Sequence, residues 1–338
     1  MLDALATRFN PPFPLEAPRV FWMMNNPYAD TDGMIKDLQR NPRFAKLGVA
    51  IVDLSGRTRR PDGAGWITFD GWNVYNQRFA ASLVKIAAMF AAFRLRNNLR
   101  IAANEVDADD AKEVFKVITA DWKGVVETAV SSGKPDFPKL DQIFTISGSN
   151  GAWNIDFSKS YRQHMEAMIG HSNNHSASIC IDRIGFQYLN GALAAEGLYD
   201  EQLGGLWLGG NYAGRDWMLE PRTKLTHMGA TARAVAAFLT LLEDSRLVNG
   251  DASGEMRDIM ALAGSWFEEG LAKAKPPRAP TSIYAKVGLM GTFHDCAVIE
   301  RSAGGKSIRY AIIVLGAPGA QVIRDLAVKV DDYILALN

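Results

Sequence analysis

Arg78-Phe79-Ala80-Ala81-Ser82-Leu83-Val84-Lys85, running into the apolar segment Ile86 to Leu95, is the stretch on which the reading of this chain turns. Ser82 falls where a helix would begin, and Lys85 follows one turn later on the same face. A serine there lies near backbone N–H groups that a helix start leaves unpaired, with an amine close enough to take its proton. That is the arrangement of an activated nucleophile. By itself it is a cheap pattern, expected about once per few hundred residues of average composition. Ser131-Ser132-Gly133-Lys134 repeats it in a Gly/Pro turn that presents no helical face. Met89, Phe90 and Phe93, just after the pair, read as core residues of a central helix. The weight of Ser82 and Lys85 comes from motifs further along.

The bulk properties exclude several classes. The 338 residues suffice for two lobes or one large domain, and 48% hydrophobic with 22% charged residues is ordinary for a globular protein. Lys and Arg number 37 against 37 Asp and Glu, with no block of like charge, so neither a nucleic-acid footprint nor a membrane-surface patch is indicated. A small-molecule substrate is the expected partner; the sequence does not fix the oligomeric state. Two cysteines, Cys180 and Cys296, imply no disulfide framework and read as buried thiols. The N-terminus lacks the basic start and apolar core of a signal peptide, and no run approaches a membrane span. The expected location is cytoplasmic for the chain as written, and periplasmic or secreted if a signal has been trimmed from it.

Strands and helices alternate unevenly along the chain. Residues 9 to 29 read as an irregular arm, followed by a helix from Thr31 to Gln39 that Asn41-Pro42 ends. Lys46 to Leu54 reads as a strand, with a partner at Trp66 to Phe69 or on through Trp72 to Tyr75. Helices are predicted over Ala108 to Thr119, Trp122 to Ser131, Tyr161 to Ile169, Ser176 to Ile184, Phe186 to Glu196, Gly229 to Glu243 and Gly254 to Ala272. Between Leu198 and Pro221 a Gly/Trp/Tyr-rich stretch reads as a long structured loop, a length that is usually functional. Three strands follow at Ser282 to Val287, Asp295 to Glu300 and Ser307 to Leu315, with Gly304-Gly305 as a turn, and then a helix from Ala320 to Leu337. Because isolated hairpins are marginal, the strands at the two ends must join one sheet. The fold class is therefore α/β in the α+β sense: an antiparallel sheet built from both termini and flanked by helices, with an inserted all-helical domain. The expected division is residues 1–80 plus 225–338 for the sheet domain and 81–224 for the insertion, including an omega-like loop at about 198–221.

Two further motifs fall where a cleft between these parts would open: His171-Ser172-Asn173-Asn174, between two predicted helices, and Lys286-Val287-Gly288 at the end of a strand, followed by Leu289-Met290-Gly291. With Ser82 and Lys85 they resemble, in order and context, the three signatures of the serine β-lactamase and penicillin-binding protein superfamily, class A β-lactamases most of all. The resemblance runs from about Arg43 to the final helix. It implies that Ser82 is acylated, that Lys85 takes its proton, and that Ser172 relays a proton to the leaving group beside the positive field of Lys286. It implies further that Asn174 holds a substrate polar group and that the backbone N–H groups of Ser82 and Leu289 form the oxyanion hole. Gly288 would let the substrate approach the strand. No cofactor is called for.

Three departures bear on function. The family places a hydroxyl between the lysine and glycine of its third motif to bind a substrate carboxylate, and Val287 stands there instead. The arginine that class A enzymes place on the next strand is absent from Thr292-Phe293-His294. The omega-loop glutamate that activates the hydrolytic water has no match in Leu206-Trp207-Leu208-Gly209-Gly210-Asn211; alignment on the tryptophan puts Leu208 at its position, with Glu220 and Asp216 nearby. The resulting expectation is a serine hydrolase or acyltransferase acting on an ester or amide that lacks the β-lactam carboxylate. The alternatives are a true β-lactamase or D-alanyl-D-alanine peptidase, and a catalytically degenerate binding protein of the same fold. His164, His171 and His175 invite a metal reading, but no acidic or cysteine residue sits at ligand spacing, so no metal site is assigned. Trp207, Tyr212 and Trp217 suit either a substrate platform or pins for a Gly-rich loop.

Overall fold

A computed structural model describes residues 31–55, 68–104, 112, 138–149, 152–212, 218–303 and 305–337. Helix α1 (Thr31–Arg40) leads to strands β1 (Gly48–Asp53), β2 (Thr68–Trp72) and β3 (Arg78–Phe79), and a 3₁₀ turn (Ala81–Val84) opens helix α2 (Lys85–Ala103). After a short α3 (Leu140–Ile143) come β4 (Phe144–Ser149), β5 (Ala152–Phe157), α4 (Lys159–Gly170), α5 (Asn174–Ile184) and α6 (Phe186–Ala195). The short strands β6 (Tyr199–Asp200), β7 (Gly204–Gly205), β8 (Trp207–Leu208) and β9 (Met228–Ala230) carry the loop region back toward β3. Helices α7 (Ala232–Glu243), α8 (Gly250–Met260) and α9 (Trp266–Ala272), strands β10 (Ser282–Met290), β11 (Thr292–Ala303) and β12 (Lys306–Ala317), and helix α10 (Ala320–Leu337) complete the chain.

The main sheet has the order β10-β11-β12-β1-β2, and every neighbouring pair is antiparallel. Early and late segments thus join in one sheet through the β12–β1 pair, as the sequence requires. All six residues of β1 are buried. This explains why its sequence shows no polar alternation: both faces are covered, so both must be apolar. Val49 and Ile51 pack with α1, α9 and α10, while Ala50 and Val52 face the core shared with α2 and α7. Helix α2 runs through the middle of that core, with Met89, Phe90 and Phe93 fully buried. Its first half, Ile86 to Phe93, is apolar on every side, as in a helix that is surrounded.

Three elements differ from the sequence reading. The inserted region is not all helical, because β4 and β5 form a hairpin with Trp153, Ile155 and Phe157 turned inward. Its period-2 alternation and the intervening Asn150-Gly151 were the available signals. The single helix expected over Gly254 to Ala272 is two, α8 and α9. Ser265 caps the second by accepting from the Phe267 N–H, while the Trp266 N–H donates to the buried Asp295. The helix expected from Gly229 begins at Ala232, since residues 228–230 pair with β3. The helices expected over 108–119 and 122–131, and the arm at 9–29, lie outside the described residues. Among the described residues no helix is long and apolar enough to cross a membrane.

A buried charge fastens the last helix to the sheet. Asp331 on α10 is fully buried and accepts from Arg301 at 2.6 and 2.5 Å, from Arg278 at 2.9 Å and from the Tyr310 hydroxyl at 3.2 Å. Removing one member strands the others without water. Asp331→Ala should therefore lower stability by about 3–5 kcal/mol, read as a fall in the urea midpoint at unchanged m-value.

Candidate active site

The three motifs converge. Ser82 lies in the 3₁₀ turn rather than in the first turn of an α-helix, and the Lys85 N–H donates to the Ser82 carbonyl. With three residues per turn, positions i and i+3 stack directly, so this geometry sets Lys85 over Ser82 more squarely than an α-helix would. The turn is anchored through the Ala80 N–H, which donates to the Met228 carbonyl at 2.9 Å, and through the β3–β9 pairing. Ser172 comes from the corner between α4 and α5. Asn173 caps α5 there, accepting from the Ser176 N–H at 2.9 Å, and so sets the corner's shape. Lys286 reaches in from β10, the edge strand of the main sheet.

Two fully buried ammonium groups meet at Ser172. Lys85 Nζ donates to the Ser172 carbonyl and to Asn174 Oδ1, both at 2.7 Å, and lies 3.4 Å from Ser172 Oγ. Lys286 Nζ donates to Ser172 Oγ at 2.9 Å and to the Val287 carbonyl at 3.1 Å. Burial, and secondarily the charge of Lys286, lowers the Lys85 amine to about 7. Burial lowers Lys286 to about 8, with Cys296 and Asp295 opposing the shift. Near neutral pH Lys85 is therefore substantially uncharged while Lys286 keeps its proton. A neutral Lys85 has two hydrogens, which Ser172 and Asn174 can accept, and one lone pair free for a proton.

Strain marks the same two corners. Ala81, directly before Ser82, has φ of 49°, and Ser172 has φ of 54°. Neither is glycine, and such conformations cost about 1–3 kcal/mol each. In both cases a distant side chain grips the strained carbonyl. Lys85 holds that of Ser172, and the Tyr212 hydroxyl donates to that of Ala81 at 3.1 Å. Tyr212 also turns its ring to Lys85, with Nζ 4.3 Å from the ring centre.

The remaining candidates divide. Gly288 lies against the turn that holds Ser82: a Cβ there would come within 2.4 Å of the Ala80 carbonyl oxygen and 2.8 Å of the Leu83 nitrogen. Leu289 and Met290, next on the strand, are apolar and 55% and 69% exposed. Val287 offers only its carbonyl. His294 is no anion anchor, being fully buried, with burial and then Arg78 lowering its imidazole to about 4. Gly316 donates to its Nδ1 at 3.1 Å, so the proton resides on Nε2 and points to Thr292 Oγ1 at 2.9 Å.

Leu208 is buried in β8, its backbone N–H and carbonyl both bonded to the side chain of Asn190. Glu220 is committed to its own turn, accepting from Tyr199, from Arg222 and from the Thr223 backbone and hydroxyl. Burial opposes its charge, but these bonds outweigh it and hold the carboxyl below the ordinary range. Asp216 and Trp217 lie outside the described residues. Trp207 is a loop pin, fully buried with its indole N–H on the Met218 carbonyl at 2.9 Å. His164 bonds Ser176, and among the described residues no group of three or more His, Cys, Asp or Glu side chains could hold a metal ion.

A family model described as the beta-lactamase enzyme family matches residues 136–334, more than half of the chain. The chain belongs to that beta-lactamase family. The matched residues include Ser172 and Lys286, while Ser82 and Lys85 precede them. Solved structures agree in fold across nearly the whole chain. The beta-lactamase from Francisella tularensis is 12% identical with a TM-score of 0.53, covering 91% of this chain and 100% of that one. The beta-lactamase from Sphaerobacter thermophilus DSM 20745 is 15% identical with a TM-score of 0.50, over 90% and 97%. A protein named PBP-A is 16% identical with a TM-score of 0.50, over 90% and 96%. At these identities the likeness concerns the fold. No curated protein matches the sequence.

The close seating of Gly288 gives a direct check on the beta-lactamase-like cleft. A methyl group there must push apart two backbone segments, so Gly288→Ala should slow labelling of Ser82 by a fluorophosphonate at least tenfold. Its far-UV circular dichroism should remain that of the parent.

Proposed function

We propose that this beta-lactamase-family chain is a serine hydrolase or acyltransferase that forms an acyl-enzyme on Ser82 from an ester or amide without a free carboxylate. Membership of the family supports a serine-hydrolase type of function. The observation that carries the finer reading is the meeting of Lys85 and Lys286 at Ser172, beside the turn that holds Ser82. Neutral Lys85 takes the Ser82 proton as Oγ attacks the carbonyl carbon. The Ser82 and Leu289 N–H groups stabilise the developing oxyanion. Ser172 passes a proton to the leaving group, and charged Lys286 favours that transfer by lying 2.9 Å from its oxygen. Asn174, its Oδ1 engaged by Lys85, presents its amide NH₂ to the substrate.

The substrate class follows from what surrounds this machinery. Past Gly288 a substrate carboxylate meets the side chains of Val287, Leu289 and Met290, which offer it no hydrogen bond, and the buried His294 cannot reach it. An uncharged ester or amide with an apolar acyl part loses nothing there. Intact-mass spectrometry after separate exposure to a fluorophosphonate and a fluorescent penicillin tests the reading. A fluorophosphonate adduct on the wild type, absent from Ser82→Ala and without a penicillin adduct, is the expected result. A stable penicillin adduct would favour a transpeptidase-like activity instead, and no adduct with either reagent would leave a binding protein.

A further inference from the structure

Lys85, Ser172 and Lys286, which can move protons, gather beside the turn that holds Ser82. Tyr212, from the loop after β8, packs onto the same group. Its hydroxyl donates to the carbonyl of strained Ala81, the residue directly before Ser82, and its ring lies against Lys85. The next residue back, Asn211, is fastened to Asp182 of α5 at 2.5 Å, and Leu208 is buried where the loop returns to β9. From this geometry we propose that Tyr212 is a positioning residue with two tasks, resting on the acyl-enzyme reading above. Its hydroxyl aims Ser82 by holding Ala81 in its strained conformation. Its ring closes that face of the acyl-enzyme to water, so that the acyl group leaves to an acceptor amine or alcohol entering from the Ser172 side.

The chemistry balances without a co-reactant beyond that acceptor. In the first step Ser82 Oγ bonds to the substrate carbonyl carbon, the bond to the leaving group breaks, and the Ser82 proton ends on the leaving group. In the second the acceptor's nitrogen or oxygen bonds to the same carbon, the Ser82 ester bond breaks, and the acceptor's proton returns to Ser82 Oγ. Tyr212 accepts no proton in either step. Burial raises its phenol far above the ordinary range, so it stays neutral and acts by position. Leu208 offers no base, and Glu220 is engaged in its own turn. Of the two described positions that the sequence offered for a deacylating base, then, neither is poised to activate water.

The test uses p-nitrophenyl butyrate as acyl donor and hydroxylamine as acceptor. Burst kinetics report acylation, turnover reports deacylation, and hydroxamate yield reports the partition between transfer and water. Tyr212→Phe keeps the ring and loses the bond to Ala81, so the burst should slow about tenfold, as expected for one lost hydrogen bond, with the partition unchanged. Tyr212→Ala opens the face, so hydrolysis should rise at least fivefold relative to hydroxamate formation. Unchanged bursts and partition in both variants would overturn the proposal while leaving the acyl-enzyme intact. A wild type showing no burst, and no Ser82-dependent adduct by mass, would overturn the acyl-enzyme reading and this proposal with it.

Discussion

Two lysine ammonium groups buried around one serine hydroxyl are the constraint on which the rest of this structure depends. Burial alone would push both amines toward the neutral form, and their proximity adds repulsion. Among the described residues no carboxylate bonds to either amine to relieve this. The fold surrounds Lys85 with neutral acceptors, the Ser172 carbonyl and Asn174 Oδ1, and with the face of Tyr212. The outcome is asymmetric, with one amine at about 7 and the other at about 8; in the proposed chemistry the first is the base and the second a fixed charge. Three chain segments must be held to within hydrogen-bonding distance for this to persist. A central helix whose first half is apolar all round, an edge strand of the main sheet and a capped helical corner are rigid supports suited to that task.

The sheet could be read in the sequence because its strands are long, β-branched and punctuated, and because strands at both ends had no local partners. Final helix α10 matches its expected span, Ala320 to Leu337, since a strong amphipathic period follows a clear Gly/Pro stop. The β4–β5 hairpin was missed because its alternation competed with helical signals on either side. The broken helix at 260–266 was missed because the decisive contact, Asp295 from β11 bonded to the Trp266 N–H, lies 29 residues away. No local pattern encodes that.

The candidate site was legible to the extent that it consists of motifs. Ser82, Lys85, Ser172, Asn174 and Lys286 come together, and Gly288 abuts the turn that holds Ser82. What the sequence could not convey was conformation and company. The positive φ of Ala81 and Ser172 has no residue signature, since neither is glycine. Tyr212 could be read only as one of three aromatics in a Gly-rich loop, and its contact with Lys85 depends on how that loop closes over α2. The missing carboxylate-binding groups were visible as substitutions, and the neutral state of His294 follows only from its burial. Family membership and fold are thus established by pattern and shape, while the substrate class is a proposal that rests on this chain's own substitutions.

The central claim is that buried Lys85 serves as the base for Ser82 while Lys286 remains charged. The measurement that tests it most directly is the rate of fluorophosphonate labelling of Ser82 as a function of pH. Loss of the Lys85 proton should raise the rate through pH about 7, and loss of the Lys286 charge should lower it again above about 8. The account predicts that bell. A rate that climbs steadily toward the ordinary lysine range near 10.5, or one that does not change with pH, would contradict it.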